Sequence, residues 1–242
     1  MIAALLRFAL GSRLRVLDAD AALGWLEATG KSLVRWGDGE TAVHRGQAIP
    51  FQDASPELRQ ALATVLAQQR PDIAVGIPAG AVCGPLLRHA TRRGWLRTRL
   101  LWARHARPEA TYVDAFLFRD RPEAALSGLK AMAGRRDWIV VVSSNGNDAG
   151  LFSDLAVGVG WIGIPARNAF GDFEAIVAAI KAEAARLDSE RDTNKGNGLV
   201  LIAAGPTAKA LVLELSPALR CLDVGHLFYF QRHGAKRNVW AG

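Results

Sequence analysis

Apolar residues along this chain gather in short continuous runs, each stopped by Gly, Pro or a charged residue. "SLVRW" (32–36), "DIAVGI" (72–77), "TRLLW" (98–102), "WIVVVSS" (138–144), "VGWIGI" (159–164), "GLVLIAA" (198–204) and "RCLDV" (220–224) read as buried strands. Helical spacing fills the gaps. In "SPELRQALATVLAQQ", Ser55 is the N-cap, Pro56 occupies the first turn and Glu57 lies near the positive helix end. "GDFEAIVAAIKAEAARL" puts Phe173, Ile176, Val177, Ile180 and Leu187 on or near one face, and "PTAKALVLEL" starts a helix directly at a strand end. "RLDSERDTNKGNG" (186–198) is an exposed helix end and loop. Continuous apolar strands alternating with helices predict an α/β domain with a largely parallel sheet, because strands covered on both faces need no polar alternation. No linker or internal repeat interrupts the pattern, so residues 1–242 read as one domain.

Ligands of such sheets bind at the carboxyl ends of the strands, which is where chemistry is to be sought. Asp38 and Glu40 follow the first run, in "VRWGDGE" (34–40). If the backbone stays extended past Trp36, side chains at i and i+2 point the same way, and Gly39 between them lets a ligand approach the backbone. Two convergent carboxylates make a hard oxygen site for magnesium or manganese shared with ligand phosphates, although the same triplet also occurs in plain solvated turns. In "AAGPTAKALVLEL", Gly205 and Pro206 deliver Thr207 to a helix start, where unpaired N–H groups favour an anion or simply take a Thr cap. "CLDVGH" places Asp223 and His226 on one turn: a carboxylate and an imidazole able to move a proton, or a His that caps the turn. "SSNGNDAG" (143–150) offers Asn145, Asn147 and Asp148 to a sugar or base, or forms an ordinary loop. "IPARNAF" (164–170) offers Arg167 as a phosphate clamp beside Asn168. A Walker loop, a G-x-G-x-x-G opening and a G-x-S-x-G elbow are all missing.

A net charge of +7, from 30 Lys and Arg against 23 Asp and Glu, matches the chain to anionic partners. The arginines are dispersed, and zinc-finger spacing, an RNP-like motif and a long basic tail are absent, so a phosphorylated ligand is expected and nucleic acid is not. Two distant cysteines, Cys83 and Cys221, argue against a disulfide scaffold or thiolate zinc site and suit a reducing cytoplasm. The start, "MIAALLRFALGSRLRVL" (1–17), has an apolar part too short to span a bilayer and lacks the order of a signal peptide. It reads as a helix packed on the domain. The alternative for such a basic amphipathic segment is peripheral contact with the inner membrane face.

Five of these elements, in this order, resemble one family, the GT-D type of glycosyltransferase first catalogued as a bacterial domain of unknown function. Arg35, Trp36, Gly37, Asp38, Gly39 and Glu40 match its R-[FY]-G-D-G-E, and Phe51 with Gln52 a downstream "fQ". Pro165, Asn168, Ala169 and Phe170 match P-x-x-N-A-[FW], Gly205 to Ala208 match G-P-T-A, and Asp223 to His226 match D-[IV]-G-H. The similarity covers residues 30 to 230. It implies a Rossmann-like fold, a nucleotide-sugar donor (a UDP-sugar in known members) and a divalent cation, usually manganese, held by the D-x-E carboxylates. The acceptor it implies is a bacterial surface glycan, glycolipid or glycoprotein. Two departures stand out: Trp36 replaces Phe or Tyr, and "SSNGNDAGLF" lacks the arginine and glutamate that the family often carries after its central strand.

The reading that follows is a cytoplasmic, metal-dependent hexosyl- or pentosyltransferase. Asp38 and Glu40 hold the cation. Arg35, Gly37, Gly39, Arg167, Asn168, Gly205 and Thr207 join those carboxylates in contacting the donor, and Asp223 and His226 act in catalysis or acceptor positioning. Its rivals are a metal-dependent nucleotide-sugar hydrolase or phosphoesterase using the same D-x-E site, and a non-catalytic nucleotide- or glycan-binding domain.

Overall fold

The sheet forms because its strands are apolar on both faces and helices are available to cover each. A computed structural model of the protein describes residues 14–68, 70–83, 93–190 and 197–234, with the backbone alone for 93–96. Its strands are β1 (Arg15–Leu17), β2 (Ser32–Arg35), β3 (Ile73–Ile77), β4 (Thr111–Asp114), β5 (Trp138–Ser143), β6 (Gly158–Gly163), β7 (Gly198–Ile202) and β8 (Cys221–Asp223). They join in the order β1-β4-β3-β2-β8-β7-β5-β6, and every pairing is parallel. The longer helices are α1 (Ala19–Thr29), α2 (Asp38–His44), α3 (Pro56–Ala67), α4 (Arg93–His105), α5 (Pro122–Ala133), α6 (Phe173–Glu190), α7 (Thr207–Leu215) and α8 (Leu227–His233).

Alternate strand residues divide the interior into two cores. Leu33, Ile139, Val141, Leu199, Leu201 and Leu222 meet Leu26 of α1, Leu129 of α5 and Phe228 of α8. Val34, Val140, Val142, Val200 and Ile202 face the other way, onto Leu58 and Leu62 of α3, Trp102 of α4, Ile180 of α6 and Leu211 of α7. The expected N-cap is present, Ser55 Oγ accepting from Leu58 N at 3.1 Å.

The expected strand at "TRLLW" is instead part of α4. Thr98, Arg99 and Trp102 are buried while Leu100 is exposed, a helical spacing that a run of two leucines and a tryptophan conceals. Residues 15–17, expected at the end of a helix, form β1 and pair with β4, itself too short and polar to stand out in the sequence. The rest of the N-terminal segment, residues 1–13, lies outside the described residues.

Strands β2 and β8 are neighbours, yet the chain leaves them toward opposite faces of the sheet. After β2, Trp36 and Val43 of α2 enter the core shared with α3 and α7, whereas after β8, Leu227 and Phe228 of α8 enter the other core. Diverging loops at adjacent strand ends leave a crevice at the switch point of a parallel sheet.

Two half-buried imidazoles report on the packing of α2 and α4. Burial first, with the charges of Arg59 and Arg45, lowers the His44 pKa against a backbone hydrogen bond with Arg59 that raises it, and burial with His44 and Arg104 lowers that of His105. The unfolded chain therefore binds more protons, so the stability these rings contribute is present above the ordinary value of about 6.5 and is lost as pH falls through the folded value. His44→Phe, which keeps a ring against Trp36, should show a smaller drop in melting temperature between neutral and mildly acidic buffer than the wild type. An equal drop in scanning calorimetry would remove His44 from the acid response.

Candidate active site

The loop after β2 turns into a helix at once. Gly37 is the N-cap of α2, and Glu40, at its third position, reaches back so that Oε2 accepts from Gly37 N at 2.8 Å. Thr41 Oγ1 donates to Gly37 O at 3.1 Å and accepts from Trp36 Nε1 at 2.9 Å. Acidic residues at the first and third positions of a helix also meet its positive end. The expected extended backbone past Trp36 is therefore not formed, and Asp38 and Glu40 do not lie side by side. Asp38 is exposed and has no hydrogen-bonding or ionic partner among the described residues, while Glu40 is buried.

What Glu40 meets inside is Lys209, on the first turn of α7. The ammonium lies 2.6 Å from Glu40 Oε1, 2.8 Å from Asp223 Oδ2 and 3.0 Å from Gly205 O, so its three donors have three acceptors. Asp223, wholly buried at the end of β8, also accepts from Arg35 N and Gly225 N, both at 3.0 Å. Burial pushes the Asp223 pKa up, but Lys209 and Arg35 outweigh it and hold the carboxyl below its usual value. Arg35 continues the network through Nε to Asp223 O at 2.8 Å and Nη1 to Ala115 O at 2.7 Å. Gly225 has φ +52°, and a Cβ there would stand 1.6 Å from Arg35 Nη2, so the turn between Asp223 and His226 needs glycine for both backbone and space.

Beside this network a cleft of about 230 Å³ opens at the carboxyl ends of β5 to β8. His226, Phe51, Gly205, Ser143, Asp148 and Arg232 are in its wall. The His226 ring packs edge-on to Phe51 at 5.8 Å and has no hydrogen bond among the described residues. Burial first, then Arg35 and Lys209, hold its pKa below the usual value against the pull of Glu40 and Asp223, leaving a neutral imidazole at pH 7. A larger groove of about 650 Å³ lies on the outer side of α3, α6 and α7, floored by Phe170, Phe173 and Leu213. Among the described residues it has acidic side chains but neither an imidazole nor a cation in its wall, so the smaller cleft at the strand ends is the better chemical site.

Comparison with known proteins decides the family. Residues 33–237 match the model of the glycosyltransferase GT-D fold. The chain belongs to this family of enzymes. It is 28% identical over 236 residues to a probable glycosyl transferase Gly of Streptococcus gordonii, covering 89% of this chain and 32% of that relative. It is 27% identical over 255 residues to the glycosyltransferase GlyD of Streptococcus pneumoniae, covering 93% of this chain and 29% of that one. It thus spans about a third of the length of these curated relatives. A solved glycosyltransferase from Streptococcus sanguinis superposes with a TM-score of 0.72 at 26% identity, over 93% of this chain and 87% of that one. Another, described as domain of unknown function 1792 with a distinct glycosyltransferase fold, gives 0.71 at 23% identity, over 98% and 88%.

Within this GT-D chain the residues expected to act do not all reach the cleft. His226 and Gly205 face the cleft. Arg35, Gly37, Gly39, Glu40, Thr207 and Asp223 belong to the packed layer behind it; Thr207 is fully buried, with its hydroxyl 3.0 Å from Gln52 Oε1. Asn168, with φ 54°, fastens two loops: it bonds Asp53 N at 2.8 Å and Asp53 Oδ2 at 2.7 Å. Arg167 is exposed and not in the cleft wall. The expected Asp223–His226 pair is corrected too, because the Asp223 carboxylate is already taken by Lys209, Arg35 and Gly225 and is not bonded to the imidazole.

Lys209 and Arg232 were not among the residues expected from the sequence. A lone lysine in the apolar helix "TAKALVLEL" was the available sign of the first, because a buried ammonium requires acceptors from elsewhere in the fold. Lys209→Met should leave two buried carboxylates short of their shared cation and cost about 3–5 kcal/mol. That corresponds to a fall in melting temperature on the order of 10 °C. Adding Glu40→Gln to Lys209→Met should restore part of the loss in the same melt. A single variant that melts like the wild type would show that the ammonium is dispensable.

Proposed function

We propose that this chain transfers a sugar from a nucleoside diphosphate sugar, UDP-linked, to a hydroxyl of a bacterial surface glycan, glycolipid or glycoprotein. The observation that carries the reading is the His226 imidazole, without a hydrogen bond among the described residues, facing a cleft at the carboxyl ends of β5 to β8 in a glycosyltransferase-family sheet. His226 takes the proton of the acceptor hydroxyl as that oxygen bonds to the sugar carbon and the bond from that carbon to the diphosphate breaks. Asp223 acts through structure: with Gly225 it sets the turn on which His226 stands. The streptococcal relatives bearing glycosyltransferase names support the same class of reaction.

We also propose a divalent cation, manganese or magnesium, at Asp38 and Glu40. The donor set fits. Asp38 is an open carboxylate, and Glu40 uses one lone pair on each oxygen for Lys209 and Gly37 N, leaving others. Such a cation would supply neutralisation of the diphosphate leaving group. Calorimetric titration with UDP-sugars should give at least about tenfold tighter binding in manganese than in chelator. Asp38→Asn should lose that difference while melting like the wild type. Equal affinity with and without manganese would remove the cation. Glu40→Gln is expected to cost stability as well, since its carboxylate is a buried partner of Lys209.

His226→Asn should keep near-native melting and donor affinity and lose roughly a hundredfold or more in turnover. Normal turnover in the variant would return the ring to a packing role. Donor consumption in the wild type should depend on acceptor; consumption at the same rate without it would identify a hydrolase, and binding without consumption a non-catalytic domain.

A further inference from the structure

We propose that Arg232, anchored on Asp148, is the residue of the cleft that grips the donor's phosphates; the inference rests on the nucleotide-sugar reading. A nucleoside diphosphate brings negative charge into the cleft, and the other nearby cations are committed. Arg35 is bonded to Asp223 and Ala115 O, and its side chain is 12% exposed. Lys209 has all three donors in use and is 3% exposed. Arg167 is not in the cleft wall. The lysine and arginine content of that wall, among the described residues, is Arg232 alone.

Arg232 stands on the last turn of α8 and pairs through Nη1 with Asp148 Oδ1, on the single turn Asn147–Gly150 that follows β5. The Asp148 side chain is buried, 4% exposed, and the Arg232 side chain is 32% exposed. That difference matters. Asp148 alone would repel a phosphate, but paired with an arginine it anchors the guanidinium through Nη1, and the remaining N–H groups have no hydrogen bond among the described residues. A planar fork suits phosphate oxygens, and holding it in advance lowers the ordering cost of binding. The loop "SSNGNDAGLF" has no cation of its own, and Arg232 reaches the same place from another element.

Isothermal titration of UDP, inorganic pyrophosphate and uridine tests this. Arg232→Gln should weaken UDP and pyrophosphate about ten- to a hundredfold and leave uridine within about twofold, with Arg232→Lys between the two because an ammonium cannot fork. Arg232→Gln also uncovers a buried carboxylate, so if it does not fold the double variant Asp148→Asn/Arg232→Gln is read in its place, with the same losses expected. A folded variant of either kind that binds UDP and pyrophosphate as the wild type does would overturn the proposal. A wild type that binds uridine and UDP equally would overturn it too. If the wild type binds none of the nucleoside diphosphates, the donor reading fails and this inference falls with it.

Discussion

The buried ammonium of Lys209 holds the strand ends together. It joins α2 through Glu40, far away in sequence, to β8 through Asp223 and to the turn before α7 through Gly205 O. An ion cluster in the interior stabilises only when every donor and acceptor is satisfied, because desolvation otherwise outweighs attraction. Here the ammonium has three acceptors, and Asp223 has donors from Lys209, Arg35 N and Gly225 N. The constraint then propagates outward. Arg35 runs past residue 225, which must be glycine, and the turn so formed sets His226 at the mouth of the cleft.

Much of the fold was legible because burial on both faces leaves a plain mark in sequence. Val140 and Ile139 are both fully buried, on opposite sides of one strand, and no alternation was needed to find them. The misreadings share a cause: length. "TRLLW" is too short for periodicity to separate helix from strand, and only the burial of Arg99 and Trp102 on one helix face, with Leu100 exposed, settles it. Likewise β1 and β4 exist through pairing with each other, with β3 beside β4, more than through their own apolar content.

The sequence placed His226 and Gly205 at the strand ends that line the cleft, but the geometry around them was not legible. Glu40 three residues after Gly37 has the spacing of a capping box, and that local preference for a helix start overrode the extended reading which would have set Asp38 beside it. Asp223 and His226 share a turn as the sequence implied, but which way a carboxylate faces depends on charges that arrive from distant segments. Lys209 and Arg35 come from 14 residues before Asp223 and 188 before it, and no local pattern announces either contact. The lone lysine in a mostly apolar helix was the one clue.

The charge distribution then separates support from chemistry. Lys209 and Arg35 balance Glu40 and Asp223 one for one, so the buried layer as a whole carries no net charge toward the cleft. A layer without net charge neither draws in an anionic ligand nor protonates the nearby imidazole, consistent with a His226 kept neutral by burial and adjacent cations. Direct contact with an anionic ligand must therefore come from groups outside the layer, of which Asp38 and the Arg232–Asp148 pair are exposed or lie in the cleft wall. Asp38, being negative, favours an anionic ligand only through a cation between them, whereas Arg232 meets it directly. The fold thus places its precision in a silent buried network and leaves binding to a few charges at the surface, where substitution changes affinity without undoing the sheet.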